Sequence, residues 1–396
     1  MTDEQTERYF DWAATSPADK MILREALEET LFAWGNPSSV HSAGKEAREL
    51  LEEARNRSAK ALGVKPEQLF FTSGGTESDH IPLLSVINRP QKGHVLFSSI
   101  EHPAVREQAL ALKKCGFTVD SIPSDKNGII TPEAVCEKLT TETLFVSIMA
   151  VNNETGAIQP IYDIADAIAG SSRGKRRPRL HIDCVQAAGK IPLELNHKGI
   201  DSAAFSSHKI CGPRGIGLLY LAEPNSFEPF LRGGGQEKGV RSGTENVFGA
   251  VAFSKCLQKY CISESNEGAL ERYKAQLPLT ERFVSALTCI KGCTLIPAAR
   301  TEKPECYSPW VVQAAFEKIP GQVMLRALDA EGFCISTGSA CSARKNNRPV
   351  LDAMNISPKE SENAVRFSFG PATTEEGMQE LLSAVQTIAS RFNSAN

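Results

Sequence analysis

The chain lacks the patterns typical of disulfide-stabilised, zinc-binding and membrane-spanning proteins. Its 11 cysteines are odd in number and scattered through 396 residues, and none of them forms a Cys-x-x-Cys pair, the spacing common at zinc sites. No apolar run approaches the ~20 residues that cross a bilayer. Residues 1–8 are polar and acidic, unlike the apolar core of a signal peptide. We therefore expect no metal, no membrane partner and a reducing, cytoplasmic location.

An excess of positive charge is also missing. The chain has 44 lysines and arginines against 47 acidic residues and a formal net charge of -3, which argues against nucleic acid as the main partner. The basic run at residues 172–179 is a local exception. We interpret it as a solvated loop before a strand, with a docking patch as the alternative.

Short apolar strands alternate with helices over about residues 69–221, which predicts an α/β fold with a mainly parallel sheet. Residues 42–62 have a strong helical pattern that Gly63 ends. Residues 9–17 are predicted as a short strand and turn, and residues 333–336 as a strand. Beyond about residue 263 the pattern changes. We predict a large domain over residues 18–260 and a smaller α+β domain formed by residues 1–17 and 261–396.

Polar residues follow five of the predicted strands, at the ends where ligands gather in a parallel sheet. They are Gly75-Thr76, Glu101-His102, Asn152-Asn153-Glu154, Asp183 with Gln186, and His208-Lys209. Turn chemistry alone is a poor explanation for five such coincidences. The pattern therefore predicts one site at the carboxyl edge of the sheet.

Lys209 follows Ser206, Ser207 and His208 and precedes a Gly-Pro turn. A lysine amine can form a Schiff base with an aldehyde cofactor, and hydroxyl and imidazole groups can hold that cofactor's phosphate. Asp183 could pair with the protonated nitrogen of a pyridine ring. Each motif also has a simpler interpretation, because a stretch like that around Lys209 is often a solvated turn and an acid at a strand end often caps a helix.

Two further motifs suit the same chemistry. Ser73-Gly74-Gly75-Thr76 joins a strand to a helix start, where glycines and free helix amides can bind a phosphate, although the same residues also make an ordinary helix cap. Cys341 lies among small polar residues before a basic segment. Such surroundings suit an exposed nucleophilic thiol.

Together these motifs resemble the cysteine desulfurases of the NifS and IscS type, which belong to the class V aminotransferase superfamily of pyridoxal-phosphate enzymes. The resemblance extends over about residues 9–392 and includes nine motifs in order. They are Asn36-Pro37-Ser38-Ser39, Phe71-Thr72-Ser73-Gly74-Gly75-Thr76-Glu77-Ser78, Glu101-His102, Val151-Asn152-Asn153-Glu154-Thr155-Gly156, His181-Ile182-Asp183-Cys184-Val185-Gln186, Ser206-Ser207-His208-Lys209, Arg241-Ser242-Gly243-Thr244, Gly338-Ser339-Ala340-Cys341 and Val365-Arg366-Phe367-Ser368.

The resemblance implies the fold type I of pyridoxal-phosphate transferases, with a seven-stranded sheet in the large domain. It implies Lys209, His102 and Cys341 as catalytic residues: the Schiff-base lysine, the histidine on the ring face and the thiol that accepts sulfur. It implies Asn153 and Arg366 as ligands of the substrate carboxylate. The implied cofactor-binding residues are Gly75, Thr76, His102, Asn153, Asp183, Gln186, Ser206, His208, Lys209 and Thr244, the last from the second subunit of a homodimer.

The activity implied by the resemblance is conversion of L-cysteine to L-alanine. The sulfur would pass as a persulfide on Cys341 to an acceptor protein, either an iron–sulfur scaffold or a sulfur carrier. A selenocysteine lyase shares the same cofactor site, and another class V lyase or aminotransferase would not need Cys341. A non-catalytic binding protein on this fold is the alternative from a different class.

Overall fold

The computed structural model describes residues 6–172, 176–262, 268–338 and 348–394. Strands and helices alternate through the first part of the chain, as the sequence predicts. The strands are β1 (Leu69–Thr72), β2 (His94–Ser98), β3 (Thr118–Ile122), β4 (Thr143–Met149), β5 (Arg179–Asp183), β6 (Ser202–Ser206), β7 (Gly217–Leu221), β8 (Cys293–Ile296), β9 (Val311–Phe316) and β10 (Ala364–Ser368).

Helices cover the strands and connect them. They are α1 (Lys20–Thr30), α2 (Ser42–Leu62), α3 (Gly75–Leu84), α4 (Pro103–Leu112), α5 (Pro132–Lys138), α6 (Ile161–Ser171), α7 (Val247–Cys261), α8 (Ala269–Thr288), α9 (Gly321–Ala330), α10 (Pro349–Ala353), α11 (Pro358–Glu362) and α12 (Glu375–Ser394). None of these helices has both the length and the apolar character that a membrane span requires within the described residues.

The predicted helix at residues 42–62 is confirmed as α2. Its first turn is capped by His41, whose side chain accepts a hydrogen bond from the Gly44 N–H. It ends at Gly63, which adopts a left-handed backbone with φ of 67° and donates its N–H to the last turn. Glycine adopts this conformation without the steric cost that a Cβ would impose.

Seven strands form the larger sheet in the order β1-β7-β6-β5-β4-β2-β3. Only β7 runs antiparallel to its neighbours, and the contacts among β2, β3, β4, β5 and β6 are parallel. The predicted mainly parallel seven-stranded sheet is therefore confirmed. Because β1, β2, β4, β5 and β6 all point the same way, the polar residues after them meet at one edge.

A second sheet is three-stranded and antiparallel, in the order β10-β9-β8. Its core is separate from that of the large sheet and includes Phe283, Phe367 and Phe369. Phe10 from the N-terminal segment packs in this second core. The predicted division at residues 17 and 261 stays a prediction, and this packing agrees with the proposed place of the N-terminus.

The short strands predicted within residues 9–17 and at residues 333–336 are wrong, whereas the turn predicted within residues 9–17 is confirmed at residues 12–14. In both places the backbone makes only isolated bridges: Tyr9 with Cys334, Asp11 with Ser368, and Ser336 with Arg366. Turns at residues 12–14 and a bend at 337–338 follow these bridges, so the chain leaves the sheet before a ladder can form. The N-terminal segment nevertheless lies beside β10 and reaches the larger sheet.

Candidate active site

A cavity of about 530 Å³ lies at the carboxyl edge of the large sheet. It contains every predicted cofactor and substrate residue except Thr244. Its lining comprises Ala13, Ala14, Thr15, Ser73, Gly74, Gly75, Thr76, Glu77, Asp79, His102, Met149, Asn153, Asp183, Val185, Gln186, Ser206, His208, Lys209, Arg214, Gly215 and Arg366. Thr244 is exposed and does not line this cavity, and Cys341 lies outside the described residues.

Lys209 ends a short 3₁₀ turn (Ser207–Lys209) directly after β6. Its Nζ donates to the carbonyl oxygens of Ala13 and Ala14, each at 2.7 Å. The N-terminal segment therefore fixes the position of the amine inside the cavity. No sequence pattern indicated these carbonyls, because Ala13 and Lys209 are 196 positions apart.

Asp183 is the last residue of β5 and is buried. One carboxylate oxygen accepts the Val185 N–H at 2.9 Å. Burial, with a further contribution from Asp79, raises the pKa of Asp183 to about 7 because a charge in a low-dielectric site is poorly solvated. A cation at this position, such as a protonated pyridine nitrogen, would restore the ionised carboxylate.

His102 caps the N-terminus of α4, and its Nδ1 accepts the Ala104 N–H at 3.1 Å. Burial and the nearby charges of Lys209 and Arg106 lower the pKa of His102 to about 4. The imidazole is therefore neutral near pH 7. Since Nδ1 is an acceptor, the proton of the neutral ring is on Nε2, and His102 can donate a hydrogen bond there but cannot accept one.

Gln186 is buried between two partners that fix its amide. Its Nε2 donates to the carbonyl oxygen of Ala13 at 2.8 Å, and its Oε1 accepts from Lys190 Nζ at 2.7 Å. Burial, together with the charge of Lys209, lowers the pKa of Lys190 to about 7. Sequence reasoning missed Lys190. Its position four residues after Gln186 was the signal that could have indicated a contact between the two side chains.

Another part of the cavity wall is built from glycine, hydroxyl and imidazole groups. Helix α3 begins at Gly75, where an added Cβ would lie 2.7 Å from Val185 Cγ2, so a larger residue would force Val185 or the turn to shift. Ser206 faces the same glycine, and His208 Nδ1 lies 3.1 Å from Thr15 Oγ1. Free amides at a helix N-terminus together with these donors can bind a phosphate.

Arg366 on β10 is fully buried and brings the second sheet to the cavity. Its Nη1 donates to the backbone oxygen of Asn153 at 2.9 Å, and its Nη2 lies 2.6 Å from Asp11 Oδ1. Its Nε has no hydrogen-bond partner among the residues that the structure describes. A buried guanidinium with an unused N–H can bind an anionic substrate group.

Comparisons with known proteins agree with this geometry. Residues 8–381 match the family described as "Aminotransferase class-V". The chain belongs to the class-V aminotransferase family. A protein of Archaeoglobus fulgidus named cysteine desulfurase IscS 1 is 37% identical over 391 residues, 98% of each chain.

Two solved structures resemble this chain closely. One is described as a NifS-like protein, with a TM-score of 0.87 and 34% identity over 97% of this chain and all of its own. The other is described as SspA in complex with cysteine, with a TM-score of 0.78 and 28% identity over 93% of this chain and 100% of its own. The predicted resemblance to the cysteine desulfurases and the predicted fold class are confirmed.

The cavity fits pyridoxal phosphate, the cofactor on which the class-V aminotransferase family depends. Gly75 provides the close backbone approach that a phosphate needs, and a Cβ would fill that space. Asp183 provides a buried carboxyl group for the pyridine nitrogen, and Lys209 provides an amine for the aldehyde. The donor set therefore matches the three functional groups of the cofactor.

Sequence reasoning missed several residues that line this cavity or hydrogen-bond to the residues that line it. Thr15 and the carbonyls of Ala13 and Ala14 come from the N-terminal segment, which was predicted only as a strand and turn. Asp79 lies on α3, 3.1 Å from His181 Nε2. Arg214 also lines the cavity, and no motif around it indicated a role.

Proposed function

We propose that this protein is a pyridoxal-phosphate-dependent cysteine desulfurase, which converts L-cysteine to L-alanine and transfers the sulfur through Cys341. The observation that carries the proposal is that Lys209, Asp183 and Arg366 share one cavity. The three residues match an aldehyde, a pyridine nitrogen and a substrate carboxylate, respectively. The names of the relatives support the same activity.

Bound pyridoxal phosphate supplies an aldehyde that bonds to amines and a protonated ring that withdraws electrons from the substrate α-carbon. The phosphate would be held by the N-terminus of α3 at Gly75 and Thr76, with Ser206 and His208 beside it. Asp183 would hold the ring nitrogen, and Gln186 would meet the ring hydroxyl. His102 would lie against the ring face.

Lys209 and His102 would have different roles toward the α-proton. The tautomer of His102 leaves its Nε2 as a donor, so the Nζ of Lys209 is the better base for the α-proton. His102 would then donate a hydrogen bond from Nε2 where negative charge develops. This division of roles is more specific than the family resemblance, which named both residues as catalytic.

Substrate binding and sulfur transfer would involve two further groups. The guanidinium of Arg366, with the amide of Asn153, would hold the substrate carboxylate. The thiolate of Cys341 would attack the substrate sulfur, forming an S–S bond while the C–S bond breaks. The bonding electrons stay with the substrate carbon, which takes a proton to become alanine, and Cys341 is left as a persulfide.

The assembly and location are further parts of the proposal. Thr244 is exposed and outside its own cavity, which suits contact with the cofactor phosphate of a second subunit in a homodimer. The persulfide would pass to an acceptor protein, an iron–sulfur scaffold or a sulfur carrier. Ten cysteines within the described residues are free thiols, which agrees with a reducing, cytoplasmic location.

The test is to give the cofactor-loaded protein L-cysteine and a thiol reductant and to assay alanine and sulfide together. We expect both products in equal amounts. Amine transfer to a keto acid without sulfide would instead indicate an aminotransferase. Release of selenide from selenocysteine, with negligible sulfide from cysteine, would indicate a selenocysteine lyase.

A further inference from the structure

Strand β1 lies at the edge of the large sheet and leads into residues 73–76, the glycine turn at the start of α3. In the sheet order, β1 has only β7 as a neighbour, so its other side presents unpaired backbone groups. Two buried side chains satisfy them. Glu237 Oε2 accepts the Phe71 N–H at 2.8 Å, and Arg55 Nη1 donates to the Leu69 carbonyl oxygen at 2.8 Å.

Arg55 and Glu237 also bind each other through two hydrogen bonds of 2.8 Å. Their exposed fractions are 4% and 5%, so the pair is shielded from solvent. Glu237 and the next residue, Lys238, have positive φ values of 48° and 55°, a conformation that residues with a Cβ rarely adopt. The buried ion pair therefore fixes a strained bend to the outer edge of β1.

Beyond this bend, Arg241 makes a second contact with the start of α3, where the cofactor phosphate would bind. Arg241 Nε lies 3.2 and 3.3 Å from the two carboxylate oxygens of Glu77. Glu77 lies in the first turn of α3 and also accepts the N–H of Ser73. Within the segment, Gln236 Oε1 accepts the Gly243 N–H at 3.0 Å.

Glu77 thus joins the glycine turn to the segment that carries Thr244. Burial alone would raise the pKa of Glu77, but the Ser73 N–H and the Arg241 guanidinium outweigh this effect and hold the pKa below its usual range. Glu77 is therefore ionised near pH 7, and its contact with Arg241 is a charge-assisted one.

We infer that Arg241 is a positioning residue: by binding Glu77 of its own chain, it fixes residues 236–244 so that Thr244 is presented to the cavity of a second subunit. The inference rests on the proposed homodimer with shared sites. It adds that the contact between Thr244 and the cofactor phosphate in one site depends on the glycine turn of the subunit that supplies Thr244. The Arg55–Glu237 pair is the buried anchor of the same segment.

The test uses mixed dimers in which only one site can attach the cofactor covalently. One chain carries Lys209→Ala, and its tagged partner keeps Lys209. Further changes are placed on the Lys209→Ala chain, which supplies Thr244 to the site of the partner. Borohydride reduction followed by mass measurement of the tagged chain gives the fraction with attached cofactor at each pyridoxal-phosphate concentration, without any activity assay.

We expect Arg241→Gln on the Lys209→Ala chain to raise the apparent dissociation constant of the partner's site by about tenfold or more, the range expected for losing one hydrogen bond to a charged group. Thr244→Ala on that chain should have the same effect, and the two changes together should be no worse than Thr244→Ala alone. Arg241→Lys should restore most of the affinity, because the positive charge remains.

The matched control is Arg232→Gln, which removes an exposed arginine paired with Glu228 in the same part of the chain and should change the constant less than about twofold. If Thr244→Ala weakens the partner's site but Arg241→Gln does not, or if their effects add, the inference is overturned while the shared site stands. If Thr244→Ala itself has no effect on the partner's site, the shared site and this inference both fail.

Discussion

Asp11 Oδ1 lies 2.6 Å from Arg366 Nη2, so an acid from the N-terminal segment binds the guanidinium that we assign to the substrate carboxylate. The backbone oxygen of Asn153 holds Nη1. With two of its nitrogens engaged, Arg366 has a fixed orientation, and its Nε has no hydrogen-bond partner within the described part of the chain. A buried guanidinium held in this way can bind a carboxylate without first losing side-chain freedom.

Arg366→Lys should raise the KM for L-cysteine by about tenfold or more, because an ammonium group keeps the charge but not the planar fork. Attachment of the cofactor to Lys209 should be unchanged, since Arg366 is assigned to the substrate alone. Steady-state kinetics and absorbance spectra measure the two effects. Arg391→Lys, an exposed change on α12, is the control. A KM within about twofold of wild type would contradict the assignment.

Lys209→Ala should abolish turnover and covalent attachment of the cofactor. Mass measurement after borohydride reduction should find the added cofactor mass on wild-type protein and none on the variant. Lys198→Ala, which changes an exposed lysine, should behave as wild type. Full desulfurase activity in Lys209→Ala would show that another residue is the catalytic amine.

Asp183 makes the stability of the cofactor-free protein depend on pH. Its pKa is raised on folding to about 7 from an ordinary value of 3.8, so the folded state holds a proton that the unfolded state has released. This contribution to stability is complete below about pH 4 and is lost as the pH rises through 7.

Asp183→Asn should therefore gain stability relative to wild type, by roughly 2–3 kcal/mol in the free energy of unfolding, as the pH rises from about 5 to about 8. Urea unfolding of the two cofactor-free proteins at both pH values measures this difference. Asp163→Asn changes an exposed acid on α6 and should show no such trend. A constant difference between Asp183→Asn and wild type would mean that Asp183 is already ionised.

Cys341→Ser should attach cofactor normally but release no sulfide, because a serine hydroxyl is almost entirely protonated near neutral pH and is a poor sulfur acceptor. Wild-type protein exposed briefly to cysteine without reductant should carry one extra sulfur on the peptide that contains Cys341.

Two other thiols serve as internal comparisons for that experiment. Burial raises the pKa of Cys211, and partial desolvation with the nearby carboxylates of Asp329 and Asp11 raises the pKa of the exposed Cys334, so neither is favoured as a thiolate. Extra sulfur on either of them, or full sulfide release by Cys341→Ser, would overturn the role of Cys341.

The sequence predicted the residues whose positions follow from local rules. Asp183 ends strand β5, Lys209 follows β6 after one short turn, and Gly75 comes after β1. Parallel strands place their carboxyl ends together whatever the details of packing, so the strand pattern was enough to predict a common site. Cys341 was indicated by its small polar neighbours and by the family resemblance, and its place relative to the cavity stays a prediction.

Contacts between distant parts of the chain could not be predicted in this way. Asp11 and Arg366 are 355 positions apart, and Thr15 and His208 are 193 apart. The strand predicted within residues 9–17 failed because local residue preferences alone suggested it, whereas tertiary contacts decide whether a partner strand lies alongside for more than one residue.

The sequence by itself determined the type of fold and the set of reactive groups, because hydrophobic periodicity and strand-end chemistry are local properties of the chain. Only the tertiary structure decided how those groups are oriented and ionised. The tautomer of His102 depends on one backbone N–H, and the raised pKa of Asp183 depends on burial and on Asp79. Both result from which atoms surround a group in space, and spacing along the chain does not specify those neighbours.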